Sequence, residues 1–235
     1  MSTFVLIHGA FRGGWSFARL RPLLEKAGHR AFAPSLPGAG EHAAGLDGQL
    51  TLSRYAQCVA SFLELEDLQR VVLVGHSQGG LVALAASEIA HARIALLVLL
   101  DSPVPRDGER GIDLVPPALA GVPMPALERD AILPPRPLAA GESLSAEDAA
   151  WISARTCPTP VGPSLDPLVL REPRALALPV SYVFFRRTPP TYPCAQGRAR
   201  LDAERTAYRE IDAGHDAPVT HPELVAGALL AIAAE

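Results

Sequence analysis

The chain has 235 residues, of which 49% are hydrophobic and three are cysteines, and its formal net charge at pH 7 is −4. This length is ample for one large core, while the slightly acidic balance gives no electrostatic basis for binding nucleic acid or an anionic membrane. No apolar segment is long enough for a membrane span or a secretory signal, and the few, distant cysteines predict neither a disulfide framework nor a metal site, so we expect a cytoplasmic protein with reduced thiols.

Short apolar segments alternate with longer amphipathic ones, which is the pattern of β-α-β units and a parallel sheet. In chain order, the predicted strands are Phe4–Ile7, Ala31–Ala33, Val71–Val74, Ile94–Leu100, Val180–Phe185 and Tyr208–Ile211. The predicted helices are Ser16–Ala27, Leu52–Leu65, Gln78–Ala90, Gly197–Ala207 and Pro222–Ala233. We expect Thr220 and Glu223 to form a capping box at the start of the last helix. The sequence therefore predicts an α/β fold with a doubly wound, mostly parallel sheet of about six strands.

The alternation stops in residues 103–178, the insertion segment, where proline is frequent and one short helix, carrying Trp151, is predicted over Leu144–Ala154. A long insertion after a strand at the carboxyl end of a parallel sheet is usually a lid over a site. We therefore predict a core made of residues 1–102 and 179–235 with the insertion segment as its lid. A proline-rich linker is the alternative.

Residues 75–80 read Gly-His-Ser-Gln-Gly-Gly, between a predicted strand and a predicted helix. A serine at the apex of such a turn has strained backbone angles, and the glycines around it leave room. Its hydroxyl then stands clear of the sheet beside a helix N-terminus, whose free N–H groups can stabilise an oxyanion. We predict that Ser77 is a nucleophile. The alternative is a glycine-rich turn in which the serine caps the helix.

A serine hydroxyl needs a general base to act as a nucleophile at neutral pH. Of the seven histidines, His215 follows the last predicted strand, on a loop that opens at the same edge of a parallel sheet as the Ser77 turn. We predict that His215 is this base. The alternative is an ordinary histidine of a surface loop.

An oxyanion needs a second donor besides the backbone N–H of Gln78. Residues 8–14, directly after the first predicted strand, read His-Gly-Ala-Phe-Arg-Gly-Gly, and the glycines allow the backbone to approach closely. We predict that the N–H of Ala10 is the second donor.

These motifs follow the order found in α/β-hydrolases, and the chain resembles their compact branch, which holds bacterial esterases, plant methyl-ester esterases and hydroxynitrile lyases. The resemblance covers nearly the whole length. It also includes residues 33–38 (Ala-Pro-Ser-Leu-Pro-Gly), residues 99–105 and the pair Gly214-His215. The resemblance implies a Ser–acid–His triad, two backbone amides as an oxyanion hole, and acyl transfer to water without a metal or an organic cofactor.

The chain departs from this family at the acid. Most members carry an aspartate in the loop after the strand that corresponds to Val180–Phe185, where this chain has Arg186-Arg187-Thr188. The resemblance points to Asp101 as the substitute, since haloalkane dehalogenases of this superfamily can place their acid at the matching position. The alternative role of Asp101 is to hydrogen-bond the loop backbone beneath the lid.

Four further side chains are candidate substrate contacts. Phe11 and Trp151 can line an apolar pocket. Arg12 and Arg187 carry guanidinium groups that bind a carboxylate or phosphate well. The alternative for the arginines is a solvated loop.

The leading prediction is a serine hydrolase for a small or medium apolar ester, thioester or lactone, with a small-molecule substrate as its partner. One alternative is a non-hydrolytic enzyme of the same fold, a lyase, cyclase or rearrangement catalyst that uses His215 as acid and base. Another is a ligand-binding pseudoenzyme. The sequence leaves the substrate and the oligomeric state open, and a homodimer is compatible with it.

Overall fold

A computed structural model describes residues 1–115, 127–135, 137–141 and 143–235. Its centre is a six-stranded sheet in which every neighbouring pair is parallel. The eight strands of the described residues are β1 (Thr3–Ile7), β2 (Arg30–Phe32), β3 (Val71–His76), β4 (Ile94–Leu100), β5 (Ile132–Leu133), β6 (Thr159–Pro160), β7 (Val180–Phe185) and β8 (Arg209–Ile211). The order in the sheet is β2-β1-β3-β4-β7-β8, and β5 and β6 form a separate antiparallel pair.

The described α-helices connect these strands and cover both faces of the sheet. They are α1 (Arg21–Lys26), α2 (Leu52–Leu65), α3 (Gly79–Ala90), α4 (Ala146–Ser153), α5 (Gly162–Leu165), α6 (Pro173–Leu176), α7 (Cys194–Glu204), α8 (Ala217–Thr220) and α9 (Pro222–Ala233). Short 3₁₀ turns cover Gly14–Phe17, Gly40–Gly45, His91–Arg93 and Gly111–Leu114. Within the described residues, no helix has both the length and the hydropathy needed to cross a membrane.

Two hydrophobic cores lie on opposite faces of the sheet. Successive strand residues point to opposite faces, so Val5 of β1 packs with α2, α3 and α7, whereas the neighbouring Phe4 packs with α1 and α9. Both side chains are fully buried, as are most of those in β3 and β4. This two-sided burial explains why the strands read as continuous apolar runs in the sequence.

The predicted fold class is confirmed, with a doubly wound parallel sheet of six strands. The predicted start of the first helix and the predicted cap of the last helix are wrong. The first helix begins at Arg21 instead of Ser16, because Pro22 has no N–H for a continuous helix from the 3₁₀ turn that precedes it. The last helix has no side-chain cap and begins at Pro222, whose fixed φ suits a first helical turn, so Thr220 forms no capping box.

The insertion segment contains β5, β6, α4, α5 and α6 within its described residues. Residues 116–126, 136 and 142 of this segment lie outside the described residues. The predicted helix around Trp151 is present as α4, and the Ser145 side chain accepts a hydrogen bond from the backbone N–H of Asp148 at its start. The division of the chain into core and lid stays a prediction.

The carboxyl ends of the strands of a parallel sheet meet at one edge, so the loops that follow them lie side by side. The loops after β1, β3, β4, β7 and β8 carry the residues of the candidate site, in that order Ala10, Ser77, Asp101, Thr188 and His215.

Candidate active site

Ser77 stands at the apex of a tight turn between β3 and α3. Its φ of 55° lies in the left-handed region, which is strained for a residue with a side chain. A Cβ on Gly75 would overlap the carbonyl of Gly79, and a Cβ on Gly79 would overlap the carbonyl of Ile7. The turn therefore requires glycine on both sides, and it holds the Ser77 side chain at the carboxyl edge of the sheet.

The imidazole of His215 lies between the hydroxyl of Ser77 and the carboxylate of Asp101. Its Nε2 is 3.0 Å from Ser77 Oγ, and its Nδ1 is 2.7 Å from Asp101 Oδ2. A proton on Nδ1, donated to the carboxylate, leaves Nε2 free to accept the proton of the serine hydroxyl. The structure thus brings together the three side chains that the sequence singled out as nucleophile, base and acid, from loops 24 to 138 residues apart in the chain.

Asp101 is 1% exposed and accepts hydrogen bonds from two further groups besides His215. The backbone N–H of Phe185 donates to Oδ1 at 3.0 Å, and the hydroxyl of Thr188 donates to Oδ2 at 2.6 Å. Burial by itself raises the pKa of Asp101, but the hydrogen bonds from His215, Thr188 and Phe185 and the charge of His215 bring the pKa below its ordinary value. The carboxyl group is therefore ionised at neutral pH.

Two residues that the sequence analysis did not assign to the site support His215. The ring of Tyr192 packs on the imidazole, with 4.4 Å between ring centroids. The Nε2–H of His76 donates to the backbone carbonyl of His215 at 2.8 Å. Burial lowers the pKa of His76 to about 3, so this ring stays neutral. The position of His76 in the nucleophile turn offered a signal, whereas nothing in the sequence marks Tyr192.

The loop after β1 is shaped by a buried histidine. His8 donates from Nδ1 to the carbonyl of Gly9 at 2.9 Å and accepts at Nε2 from the N–H of Leu36 at 2.9 Å. Burial lowers the pKa of His8 to about 4, which keeps the ring neutral and suits both bonds. A Cβ on Gly9 would lie 2.7 Å from Ser77 Cβ, so the backbone passes directly beside the nucleophile.

The backbone N–H groups of Ala10 and Gln78 have no hydrogen-bond acceptor among the described residues. Ala10 follows Gly9 in the loop beside the nucleophile, and Gln78 is the first residue after Ser77, at the N-terminus of α3. The Gln78 side chain points elsewhere, since its amide donates to Ser164 Oγ at 2.6 Å. Both N–H groups thus remain available for the predicted contact with an oxyanion.

A cleft with about 230 Å³ of empty space, part of it open to solvent, adjoins Gly9 and Gln78, the neighbours of Ala10 and Ser77 in the chain. Its lining combines the loop after β1, the nucleophile turn, α2 and the insertion segment. The lining residues are His8, Gly9, Phe11, Arg12, Leu36, Gly38, Ala39, Tyr55, Gln78, Cys157, Pro158, Thr159 and Pro160.

A model of the alpha/beta hydrolase family matches residues 4–228. The chain belongs to this family. It is 40% identical over 119 residues, 51% of this chain and 49% of the relative, to a carbendazim hydrolyzing esterase of Nocardioides sp. (strain SG-4G). It is 37% identical over 103 residues, 43% of this chain and 40% of the relative, to an alpha-hydroxynitrile lyase of Arabidopsis thaliana. The chain thus spans about half, or less, of the length of these relatives.

The hydrolase fold extends over the whole chain in the comparison with solved structures. An extracellular alpha/beta-hydrolase from a Paenibacillus species superposes with a TM-score of 0.75 at 24% sequence identity, over 97% of this chain and 99% of that chain. The predicted resemblance to the esterase and hydroxynitrile-lyase-like branch is confirmed by these relatives.

Arg12, one of the predicted anion contacts, lines the cleft but already has a partner. Its Nη2 lies 2.9 Å from Oδ1 of Asp216, and the two side chains are 12% and 14% exposed. Burial raises the pKa of Asp216, while the positive charge of Arg12 lowers it, with a net decrease. The ion pair connects the loop after β1 to the residue that follows His215, and sequence reasoning had no signal for it.

The other predicted substrate contacts differ in position. Phe11 lines the cleft, with a strained φ of 63°. Trp151 does not: it packs edge-on against Trp15 at 5.4 Å and lies beneath the guanidinium groups of Arg19 and Arg155, so its indole joins α4 to the core.

Arg187 is also absent from the cleft lining. Its guanidinium donates to the carbonyl of Asp212 at 2.6 Å and lies 3.3 Å from the Asp212 carboxylate. The guanidinium is therefore already bound to Asp212.

Among the described residues, one group of side chains has the composition of a metal site. The donor atoms of Asp101, Cys194 and His215 lie within 4.8 Å of one another. Burial raises the pKa of the Cys194 thiol, which keeps it protonated, and Asp101 and His215 are hydrogen-bonded to each other. This arrangement suits an acid–base pair better than a cation.

Proposed function

We propose that this α/β-hydrolase is a serine esterase in which Ser77 is the nucleophile, His215 the general base and acid, and Asp101 the orienting carboxylate. The observation that carries the proposal is the unbroken hydrogen-bonded path from Ser77 Oγ through His215 to Asp101, at 3.0 and 2.7 Å. Family membership and the names of the esterase relatives support the same reaction.

In the proposed reaction, Ser77 Oγ attacks the ester carbonyl and its proton moves to Nε2 of His215. The imidazolium then protonates the departing alcohol as the ester bond breaks, which leaves an acyl-serine. A water molecule attacks this acyl group, gives its proton to His215, and releases the acid and the free serine. Asp101 keeps the proton on Nδ1 and stabilises the imidazolium in both steps.

The negative charge that develops on the carbonyl oxygen needs donors that are already in place. We assign the N–H groups of Ala10 and Gln78 to this role, because both lack an internal acceptor among the described residues and both flank the nucleophile. Removing one such donor typically costs a factor of about 10²–10³ in kcat.

We propose a small or medium apolar carboxylic ester as the substrate. The relative named as a carbendazim hydrolyzing esterase makes carbendazim a member of the test panel. The contact between His215 and Asp101 supports ester hydrolysis, because it supplies the acid that the loop after Phe185 lacks.

Ser77→Ala tests the proposal on a panel of p-nitrophenyl esters, methyl esters and carbendazim, together with a fluorophosphonate probe. We expect kcat to fall by a factor of about 10⁴ or more and labelling to disappear, because the nucleophile is lost while binding remains. Ser53→Ala, on the exposed side of α2, is the matched control and should behave as the wild type.

A wild-type protein that neither labels nor hydrolyses any ester would refute the esterase. A Ser77→Ala variant that keeps most of its activity while His215→Ala loses it would indicate lyase chemistry instead.

A further inference from the structure

Two hydroxyl groups in the cleft have no evident structural use. Tyr55, on α2, and Thr159, in β6, both line the cleft, with exposed fractions of only 3% and 8%. No hydrogen bond from either hydroxyl occurs among the described residues, and neither oxygen is one of the fully buried side-chain atoms without a partner, so both hydroxyls keep contact with the space of the cleft. Phenylalanine and valine would fill the same space without placing a polar group at the cleft.

The hydroxyl of Tyr55 is a polar group in mainly apolar surroundings. The neighbouring walls of the cleft include the apolar side chains of Leu36 and Ala39, and the aromatic ring belongs to the hydrophobic core that α2 shares with the sheet. Burial raises the pKa of Tyr55, so the phenol keeps its proton and remains a donor. A substrate that displaces water from this donor without offering an acceptor loses free energy, whereas a substrate that carries an acceptor keeps the hydrogen bond.

The same cleft is bordered by Gly9 and Gln78, which flank the nucleophile. An ester that places its carbonyl beside these residues therefore shares one cavity with the two hydroxyls. Thr159 enters this cavity from the insertion segment and Tyr55 from the core, so the polar positions face the substrate from two independent parts of the chain.

We propose that Tyr55 and Thr159 form a substrate-recognition subsite for a hydrogen-bond acceptor, such as an ether or carbonyl oxygen or a ring nitrogen, carried by the ester away from its reacting carbonyl. This inference rests on the proposed esterase function. It adds that the preferred substrates are functionalised esters, and that plain alkyl esters of the same shape are poorer substrates because they leave the two hydroxyls unpaired.

The test compares matched p-nitrophenyl esters in which one methylene of the acyl chain is replaced by an ether oxygen, at successive positions along chains of increasing length. For the wild type we expect kcat/KM to be about tenfold higher for at least one ether than for its alkyl partner. Tyr55→Phe should lower kcat/KM for that ether by about tenfold and leave the alkyl ester within about twofold. Thr159→Val should act in the same direction.

Tyr208→Phe is the matched control, because this tyrosine binds Asp202 on the surface and lies outside the cleft lining. Calorimetric binding of the same ester pairs in a Ser77→Ala background, with and without Tyr55→Phe, does not require turnover. It therefore distinguishes a failed subsite from a failed esterase. Equal binding of ether and alkyl partners, or an equal loss for both in Tyr55→Phe, would overturn the inference.

Discussion

Thr188 shows how one side chain supports Asp101 as the proposed acid of the triad. The loop after β7 carries no carboxylate at 186–190, but the Thr188 hydroxyl reaches the Asp101 carboxylate at the end of β4. With the Phe185 N–H, it gives the buried carboxylate hydrogen bonds on both oxygens. The loop after β7, where the family resemblance leads one to expect the acid, thus hydrogen-bonds the proposed acid of this chain.

Asp101→Asn should lower kcat on a p-nitrophenyl ester by a factor of about 10⁴ and leave the fold intact. The amide still fills the site, but it favours the wrong tautomer of His215 and cannot stabilise the imidazolium. Thr188→Val, which removes only a supporting hydrogen bond, should cost about tenfold. An Asp101→Asn variant with wild-type kcat would show that another group, or none, orients His215.

The candidate site was partly predictable at the scale of residues. Ser77 and His215 follow strands in recognisable contexts, so their shared edge of the sheet could be inferred. Asp101 was suggested as the acid only by the family resemblance. The groups that hydrogen-bond its carboxylate, Thr188 and Phe185, belong to another strand and the loop after it, so the sequence around Asp101 gives no sign of them. The packing of Tyr192 on His215 depends on the path of an irregular loop, for which the sequence holds no periodic signal.

Two loops at the carboxyl edge are joined by the ion pair of Arg12 and Asp216. One loop follows β1 and carries Ala10, and the other follows β8 and carries His215. The pair is largely buried, so its loss leaves a charge without a partner in a poorly solvated place. The relative position of the proposed oxyanion donor, Ala10, and the proposed base, His215, therefore depends on this ion pair.

Arg12→Met and Asp216→Leu should each destabilise the protein by about 2–4 kcal/mol, and the double variant by clearly less than the sum. Urea unfolding of the four proteins measures this coupling. Arg93 and Asp67, an ion pair in which Asp67 is 89% exposed, provide the control cycle and should show little coupling. Additive single effects at Arg12 and Asp216 would mean that the contact contributes nothing specific.

Whole helices and strands were more predictable than their ends. α2 was predicted from Leu52 to Leu65, as observed, because its apolar side is regular and Thr51 caps it. α7 begins at Cys194, three residues before the predicted start, since packing of its first turn against the core outweighs its weak amphipathic pattern.

Two neutral histidines make the stability of the whole molecule depend on pH. His8 and His76 are buried, with pKa values lowered to about 4 and about 3 from 6.5. Below pH 6.5 the unfolded chain binds protons at these positions and the folded chain does not. The free energy of unfolding therefore decreases as the pH falls, by about 1.4 kcal/mol per pH unit for each histidine, until the folded-state pKa is reached.

Urea unfolding between pH 7.5 and 5 should show this decrease, and His8→Asn should make it less steep even though it also lowers stability at pH 7.5. His42→Gln, at an exposed histidine, is the control and should leave the steepness unchanged. The same steepness in His8→Asn and the wild type would contradict the assignment of His8 as a neutral buried group.

The fold of the whole molecule followed from the alternation of short apolar and longer amphipathic segments, because burial of strands on both faces leaves a clear trace in the sequence. The sequence of the insertion segment does not show this alternation. Its described strands have two residues each, and its contacts with the core depend on single side chains such as Trp151.

One contact of the insertion segment, made by Cys157, also reaches the loop that carries Ala10. The backbone N–H of Cys157 donates to the carbonyl of Phe11 at 3.3 Å, and the Cys157 thiol lies 3.6 Å from the carbonyl of Arg12. These contacts hold the peptide groups after Ala10 against the insertion segment. If the proposed esterase is correct, substitutions in that segment should change the turnover rate and the substrate preference together.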